Sequence, residues 1–332
     1  MAEKRLFYID FLKFIGLTCI IIAHVGSPDL VLMIRCFDVP LMVIISALLA
    51  QSSIKKYGKD FNSIKKYFIA RIKRLVIPTW IFLVIYFIIR FIFTKELLSF
   101  KYYVASFLLT RYGVGYVWII LIYLYCALLI PLFRKIGYSA KNMMIILVIY
   151  AVYELIYYFK IGIDNKLLDT TVFYIIPYGV LSYIGYNFSL ISKNKKNVYF
   201  YVNLFLFFII GYIYYVKTGT IQYAFVDKYP PRIYFLSYGL TVSLGLLILC
   251  KKYDLKLYKN SIIQFISKHS LWIYLWHILA MDVYKAFNLP EIWYIKLIIV
   301  YFTAIIIVII VNKILDLVDN KYKIELLKYL RG

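Results

Sequence analysis

Apolar residues run for about twenty positions at a time in this chain, and such runs recur from end to end. That length suits a helix rising about 1.5 Å per residue through a hydrocarbon layer of about 30 Å. Breaking the runs at charged residues and at Pro/Gly clusters predicts ten spans, near 8–27, 34–52, 67–93, 115–135, 142–160, 171–191, 198–217, 232–250, 262–286 and 291–316. The expected fold class is therefore all-α, a polytopic membrane protein with about ten transmembrane helices. Nearly every residue belongs to a span or to a loop too short to fold alone, so residues 1–332 are expected to form a single membrane domain.

The first run resembles a signal-peptide core in length. It carries Asp10, Lys13 and His24, has no small-residue cleavage site and is followed by more spans, which argues for a retained first helix. Between spans, two outer loops stand out: 94–114, with Tyr102, Tyr103, Arg111 and Gly113, and 218–231, ending at Pro230-Pro231-Arg232. The stretch from Tyr102 to Leu109 is too short to cross and is expected to lie in the interface or to re-enter.

Charge orients the helices. With a cytoplasmic N-terminus, the cytoplasmic ends and loops hold Lys4 and Arg5, the group from Lys55 to Arg74, Arg134, Lys135 and Lys141, Lys193 to Lys196, Lys251 to Lys259, and the tail from Lys313 to Arg331. These are 25 of the 39 basic residues, an excess that the positive-inside rule assigns to the cytoplasm together with both termini. The same distribution accounts for the net charge of +23 without nucleic acid, because the lysines are divided among short loops. Composition agrees: 64% of residues are hydrophobic and 20% aromatic. Many of the tyrosines fall at expected interfaces, where amphipathic rings anchor. Cys19, Cys36, Cys126 and Cys250 have no metal-ligand spacing, so no metal site and no disulfide framework is expected.

Ionisable groups inside spans are the candidates for chemistry, since each costs about 2.5–3.5 kcal/mol at mid-bilayer on insertion scales. On a helix, the eleven residues from Lys13 to His24 make three turns plus about 20°, and Asp10 falls within about 40° of His24, so all three project from one face. Lys13 and His24 are about 16 Å apart along the axis and serve different ends of that face. Asp10 and Lys13 are also spaced to neutralise each other structurally. His24 reads either as a general base or as a buried hydrogen-bonded ring. Arg71 and Arg74 share a face at the start of the third span, suited to bidentate grasp of phosphate or to ordinary interfacial anchoring. His277, in Ser270-Leu-Trp-Ile-Tyr-Leu-Trp-His277, is a second intramembrane histidine, for ligand binding or for packing. Glu154 is a carboxylate in mid-run that should face the bundle interior and meet a cation or a hydroxyl-bearing substrate.

These residues fall into a known pattern. Tyr8-Ile-Asp10-Phe-Leu-Lys13 followed by His24, then Val39-Pro40-Leu41 leading to Ser46, then Arg71-Ile-Lys-Arg74-Leu-Val-Ile-Pro78-Thr-Trp80, resembles the acyltransferase-3 family of bacterial membrane O-acyltransferases. Tyr229-Pro-Pro-Arg-Ile-Tyr-Phe-Leu-Ser-Tyr238-Gly239 and the segment ending at His277 are similar to that family too, and the matches run in order across nearly the whole chain. The resemblance implies a ten-helix domain moving an acyl group, commonly acetyl from acetyl-coenzyme A, onto a hydroxyl of a cell-surface polysaccharide, glycolipid or lipid-linked sugar. The family's basic-residue-X10-His signature falls on Lys13 and His24, and its Arg-X-X-Arg signature on Arg71 and Arg74. Ala47, where many members carry Gly, and Met42, in a stretch usually rich in Phe, depart from the pattern and bear on cavity width.

On this reading His24 is the general base with Lys13 and Asp10 beside it in the catalytic set, and Arg71 and Arg74 bind the acyl-coenzyme A donor. Glu154, Tyr238, His277 and Ser46 line the cavity or bind the acceptor. The donor is a substrate and no bound cofactor is expected; the other partners are the glycan acceptor and membrane lipids. The expected location is the bacterial cytoplasmic (inner) membrane. The chain ends soon after its tenth span, so it is expected to act alone or to pass its acyl group to a separate partner. A transporter or flippase for a glycan or lipid-linked sugar is the alternative, although paired broken helices in two related halves are not seen.

Overall fold

The computed structural model of the chain describes residues 6–161, 165–253, 255–322 and 330. It is 80% helical, with no strand among the described residues. The physical reason is the one the apolar runs imply: in lipid, backbone N–H and C=O groups have no water to bond, and a helix satisfies them within its own segment.

The helices in chain order are α1 (Phe7–Ile22), α2 (Asp29–Arg35), α3 (Asp38–Ile54), α4 (Phe61–Thr94), α5 (Phe100–Phe107), α6 (Trp118–Ile136), α7 (Ala140–Tyr158), α8 (Lys166–Thr170), α9 (Val172–Asn187), α10 (Lys193–Thr218), α11 (Ile233–Lys252), α12 (Ser261–Lys268), α13 (Ser270–Ala286) and α14 (Trp293–Tyr322). Short 3₁₀ turns occupy Gly115–Val117, Ala224–Asp227 and Lys256–Lys259. Each of the ten expected spans contains a helix. Seven helical stretches are long and apolar enough to cross a membrane: Asp29–Ile54, Phe61–Thr94, Gly115–Ile136, Ala140–Tyr158, Lys193–Thr218, Ile233–Lys252 and Trp293–Asp319. The other three, α1, α9 and α13, have 16, 16 and 17 residues. At about 1.5 Å per residue these reach about 25 Å, short of a full hydrocarbon core. The protein is thus a multi-pass membrane protein, with seven helices of crossing length among the described residues.

Two of the boundaries that differ from the sequence expectation bear on the candidate residues. The span expected over 262–286 is divided at His269, whose backbone (φ −98°, ψ 18°) leaves the helical region between α12 and α13. The span expected over 8–27 stops being helical at Ile22, so His24 stands in the turn beyond α1. That turn is tightened by His24 N–H donating to Ile21 O at 2.9 Å, and it is closed by Ser27 Oγ donating to Ile22 O at 2.6 Å. Gly26 has φ +77°, a left-handed conformation that ends helices and that glycine adopts without steric cost. Lys4, Arg5 and the basic tail residues 323–329 and 331, which entered the charge argument, lie outside the described residues.

The chain forms two compact units. The first contains Met1–Pro28, Ile69–Leu121 and Leu255–Gly332, and packs α1 against α12, α13 and α14, and α13 against α14. The expected short segment of the 94–114 loop is present here as α5. Ser99 caps it by accepting from Tyr102 N–H, and the following turn folds back so closely that a Cβ on Gly113 would sit 2.3 Å from Ser106 N. Ser106 Oγ bonds Tyr102 O at 2.7 Å and accepts from Val114 N–H at 2.9 Å, while Trp80 Nε1 donates to Phe107 O at 2.8 Å. This loop is therefore a built element, tied to α4 through Trp80.

The second unit contains Asp29–Phe68 and Ile122–Asp254. Its centre is α9, buried from Tyr178 through Asn187 and packed on α3. A Cβ on Gly185 would approach Ile44 O to 2.4 Å, so the two backbones meet where only glycine fits, as small residues permit between membrane helices. In contrast, α10 packs on α11 yet has no buried residue. An apolar helix open along its length suits hydrocarbon rather than water.

Candidate active site

The first unit assembles the polar face of α1 from residues far apart in sequence. Lys13 Nζ donates to Ser267 O at 2.6 Å, and Ser267 Oγ donates to Asp10 Oδ1 at 2.6 Å. Asp10 and Lys13 thus share one residue of α12, and Ser267 itself is fully buried. Farther along, Thr18 Oγ1 and Tyr301 OH are 3.1 Å apart, joining α1 to α14.

Beyond the end of α1, His24 meets His277 of α13. His24 Nδ1 and His277 Nε2 are 2.9 Å apart, and the rings stack at 5.1 Å with an interplanar angle of 12°. His277 has no solvent exposure, whereas His24 is half-buried. His277 Nδ1 contacts the carbonyl of Tyr274, one turn earlier on α13. Tyr116, in the 3₁₀ turn before α6, sets its ring edge-on to His24 at 4.6 Å and to His277 at 6.3 Å. The Tyr274 hydroxyl donates to Tyr116 O, which fastens that turn to α13, and its ring lies 5.0 Å from His277. The result is two imidazoles held among two tyrosine rings. On the same helix Asp282 accepts from Tyr86 OH at 2.8 Å, linking α13 to α4.

Arg71 and Arg74 belong to the same unit, one turn apart on α4, with Arg71 half-buried and Arg74 exposed. Arg74 has no carboxylate partner among the described residues. Among those residues there is also no group of three His, Cys, Asp or Glu placed to hold a metal ion. None of the four cysteines is in a disulfide.

A family model described as an acyltransferase domain matches residues 6–315. The chain belongs to the acyltransferase-3 family. No curated protein and no solved structure matches it. The matched stretch extends through parts of both compact units and includes His24, His277, Arg71 and Arg74, so the histidine pair and the arginine pair are parts of a membrane acyltransferase.

The remaining expected residues of this acyltransferase are in the second unit. Tyr238 donates to Ile34 O at 2.7 Å and packs on Phe207 at 5.1 Å. Ser46 is half-buried on α3. Glu154 Oε1 accepts from Tyr150 OH at 2.5 Å and from Ile233 N–H at 2.7 Å, and Glu154 Oε2 accepts from Arg232 Nε at 3.2 Å. Arg232 also lies 4.4 Å over the Tyr157 ring. The cation anticipated for Glu154 is therefore Arg232.

Sequence reasoning did not single out Tyr116 or Ser267. Tyr116 is one of 36 tyrosines, and nothing local sets it apart. The signal for Ser267 is faint: a small polar residue three positions before Ser270, just where the apolar run changes direction.

Proposed function

We propose that this acyltransferase moves an acyl group, acetyl from acetyl-coenzyme A, to a hydroxyl of a cell-surface polysaccharide, glycolipid or lipid-linked sugar, with His24 as general base. The observation that carries the reading is the half-buried His24 ring held at 2.9 Å by the fully buried His277. A histidine on an apolar path, oriented by a second ring and partly open, is placed as a base needs to be.

The chemistry follows from charge. Coenzyme A is anionic, so its phosphates are held by guanidinium groups, and Arg71 and Arg74 supply two of these one helical turn apart, with Lys13 adding charge. Arg74, with no carboxylate partner among the described residues, is open to such an anion. His24 takes the proton of the acceptor hydroxyl as its oxygen attacks the thioester carbonyl. The tetrahedral intermediate expels the coenzyme A thiolate, and His24 returns the proton to sulfur. Transfer through an acyl-histidine is the variant of the same site. On this reading the protein works in the bacterial cytoplasmic membrane with both termini cytoplasmic, a reading supported by the excess of basic residues on that side, and the acceptor hydroxyl is on the outer side or on a lipid carrier.

Purified protein with labelled acetyl-coenzyme A and candidate glycans tests the reaction directly: label should move to the glycan, whereas a transporter leaves the thioester intact. For the donor site, Arg71→Ala and Arg74→Ala are each expected to weaken acetyl-coenzyme A binding about tenfold or more, the scale of a lost charge-assisted hydrogen bond. Unchanged binding by isothermal titration would return both to membrane anchoring.

A further inference from the structure

We propose that His277 is a positioning residue that locks His24 in a single tautomer, with the proton on Nδ1 and the basic lone pair on Nε2. The proposal rests on His24 being the base, and it deepens that reading.

The proton positions follow from what each neighbour can do. The Tyr274 carbonyl only accepts, so the nitrogen it meets, His277 Nδ1, must carry hydrogen. His277 has no solvent exposure, and a ring taken wholly out of water is held most cheaply without charge. A neutral imidazole has one N–H, so its Nε2 presents a lone pair. That Nε2 stands 2.9 Å from His24 Nδ1, and a hydrogen bond between them requires the hydrogen on His24. The one lone pair left on a neutral His24 is then on Nε2.

Packing maintains the arrangement. Turning His24 out of the near-parallel arrangement would lose the contact with His277, and the Tyr116 ring packs against the same imidazole at 4.6 Å. The Tyr274–Tyr116 hydrogen bond ties the same α13 turn that supplies the carbonyl to the turn that supplies the blocking ring. During transfer, His24 Nε2 accepts the hydroxyl proton and becomes the imidazolium, Nδ1–H keeps donating to His277, and the proton leaves again to the thiolate. His277 neither gains nor loses a proton. It plays the orienting part that a carboxylate plays in hydrolase triads, from a neutral ring.

The first test needs no substrate. The chain has three histidines, so ¹⁵N NMR of histidine-labelled protein, with His24→Ala to assign the signals, reports which ring nitrogen of His24 is protonated. Hydrogen on Nδ1 is expected; hydrogen on Nε2 overturns the proposal, whether or not the protein acylates any glycan offered. The second test splits kinetic constants. His277→Phe, which fills the site without an acceptor, should lower kcat about 10²-fold with KM for acetyl-coenzyme A unchanged, by analogy with loss of an orienting partner. His277→Gln, whose side-chain carbonyl accepts the Nδ1 hydrogen, should recover to within about tenfold of the native rate. A His277→Phe rate within about threefold of native, or a Gln variant no better than Phe, overturns the assignment. Should His277→Phe fail to fold, the spectrum of the unaltered protein decides alone.

Discussion

The two units each place a charged or chargeable group in apolar surroundings, and they treat it in opposite ways. In the first, His24 is half-buried, bonded to His277 and packed against Tyr116. In the second, Glu154 has its charge and its oxygens taken up by Tyr150, Arg232 and the first backbone N–H of α11. A carboxylate at a helix N-terminus, paired with a guanidinium, is a fastening between α7 and α11. The lesson is that an ionisable residue in apolar surroundings can be half-buried beside a neutral ring or enclosed by a counter-charge and a backbone donor, and that the kind of partner and the exposure distinguish the two.

Removing each group breaks the comparison most directly. His24→Ala should lower transfer about 10²–10⁴-fold, the usual worth of a general base, with the melting temperature in detergent unchanged. Near-normal acetylation in that variant would remove His24 from the chemistry. Glu154→Ala should do the reverse: about 2–3 kcal/mol of stability lost, because the Arg232 guanidinium and the Ile233 N–H lose their charged acceptor, and transfer per folded molecule kept. Thermal unfolding and specific activity measured on the same preparation distinguish the outcomes. Loss of activity without loss of stability would move Glu154 from joint to site.

A weaker effect tests whether the second unit's core is as tight as its glycines indicate. Gly185→Ala places a methyl 2.4 Å from a backbone oxygen of α3, which cannot rotate away as a side chain would. Overpacking of this kind costs about 1–3 kcal/mol. A melting temperature equal to that of the native protein would show that α3 and α9 part without penalty.

Much of this was legible in the amino-acid sequence, and the parts that were not share a cause. The long apolar runs at Phe61–Thr94 and Trp293–Asp319 are read easily because lipid imposes helix on any such run. Lys13, His24 and His277 stand out because polar groups are rare in such runs. The break at His269 was missed because no Pro or Gly interrupts the stretch, although Lys268, His269 and Ser270 form a polar cluster there. The end of α1 two residues before His24 was signalled only by Gly26 and Pro28. The partnerships of His24 with His277, and of Glu154 with Arg232, join positions 253 and 78 residues apart. Single-chain periodicity carries no information on contacts at that range.

The smallest expected effect lies outside the spans, at Asp227 in the turn Ala224–Asp227, and it sharpens the contrast with Glu154. Asp227 is buried, accepts from Tyr214 OH at 3.0 and 3.1 Å, and has its carboxyl held above the ordinary carboxylate value by burial first, with the charge of Glu154 adding to it. Arg232 and the Tyr214 hydroxyl oppose that shift without cancelling it. A carboxyl whose folded value is raised binds a proton more readily in the folded chain than in the unfolded one. Stability from this group therefore grows as pH falls through the folded value towards the unfolded value near about 3.9, and is lost as pH rises. Asp227→Asn keeps an oxygen for Tyr214 and removes the charge, so it should melt slightly above the native protein near neutral pH. The gap should shrink as pH falls towards about 4. Melting temperatures of both proteins over that range check the sign, and a gap that widens on acidification would mean that Arg232 outweighs burial at Asp227.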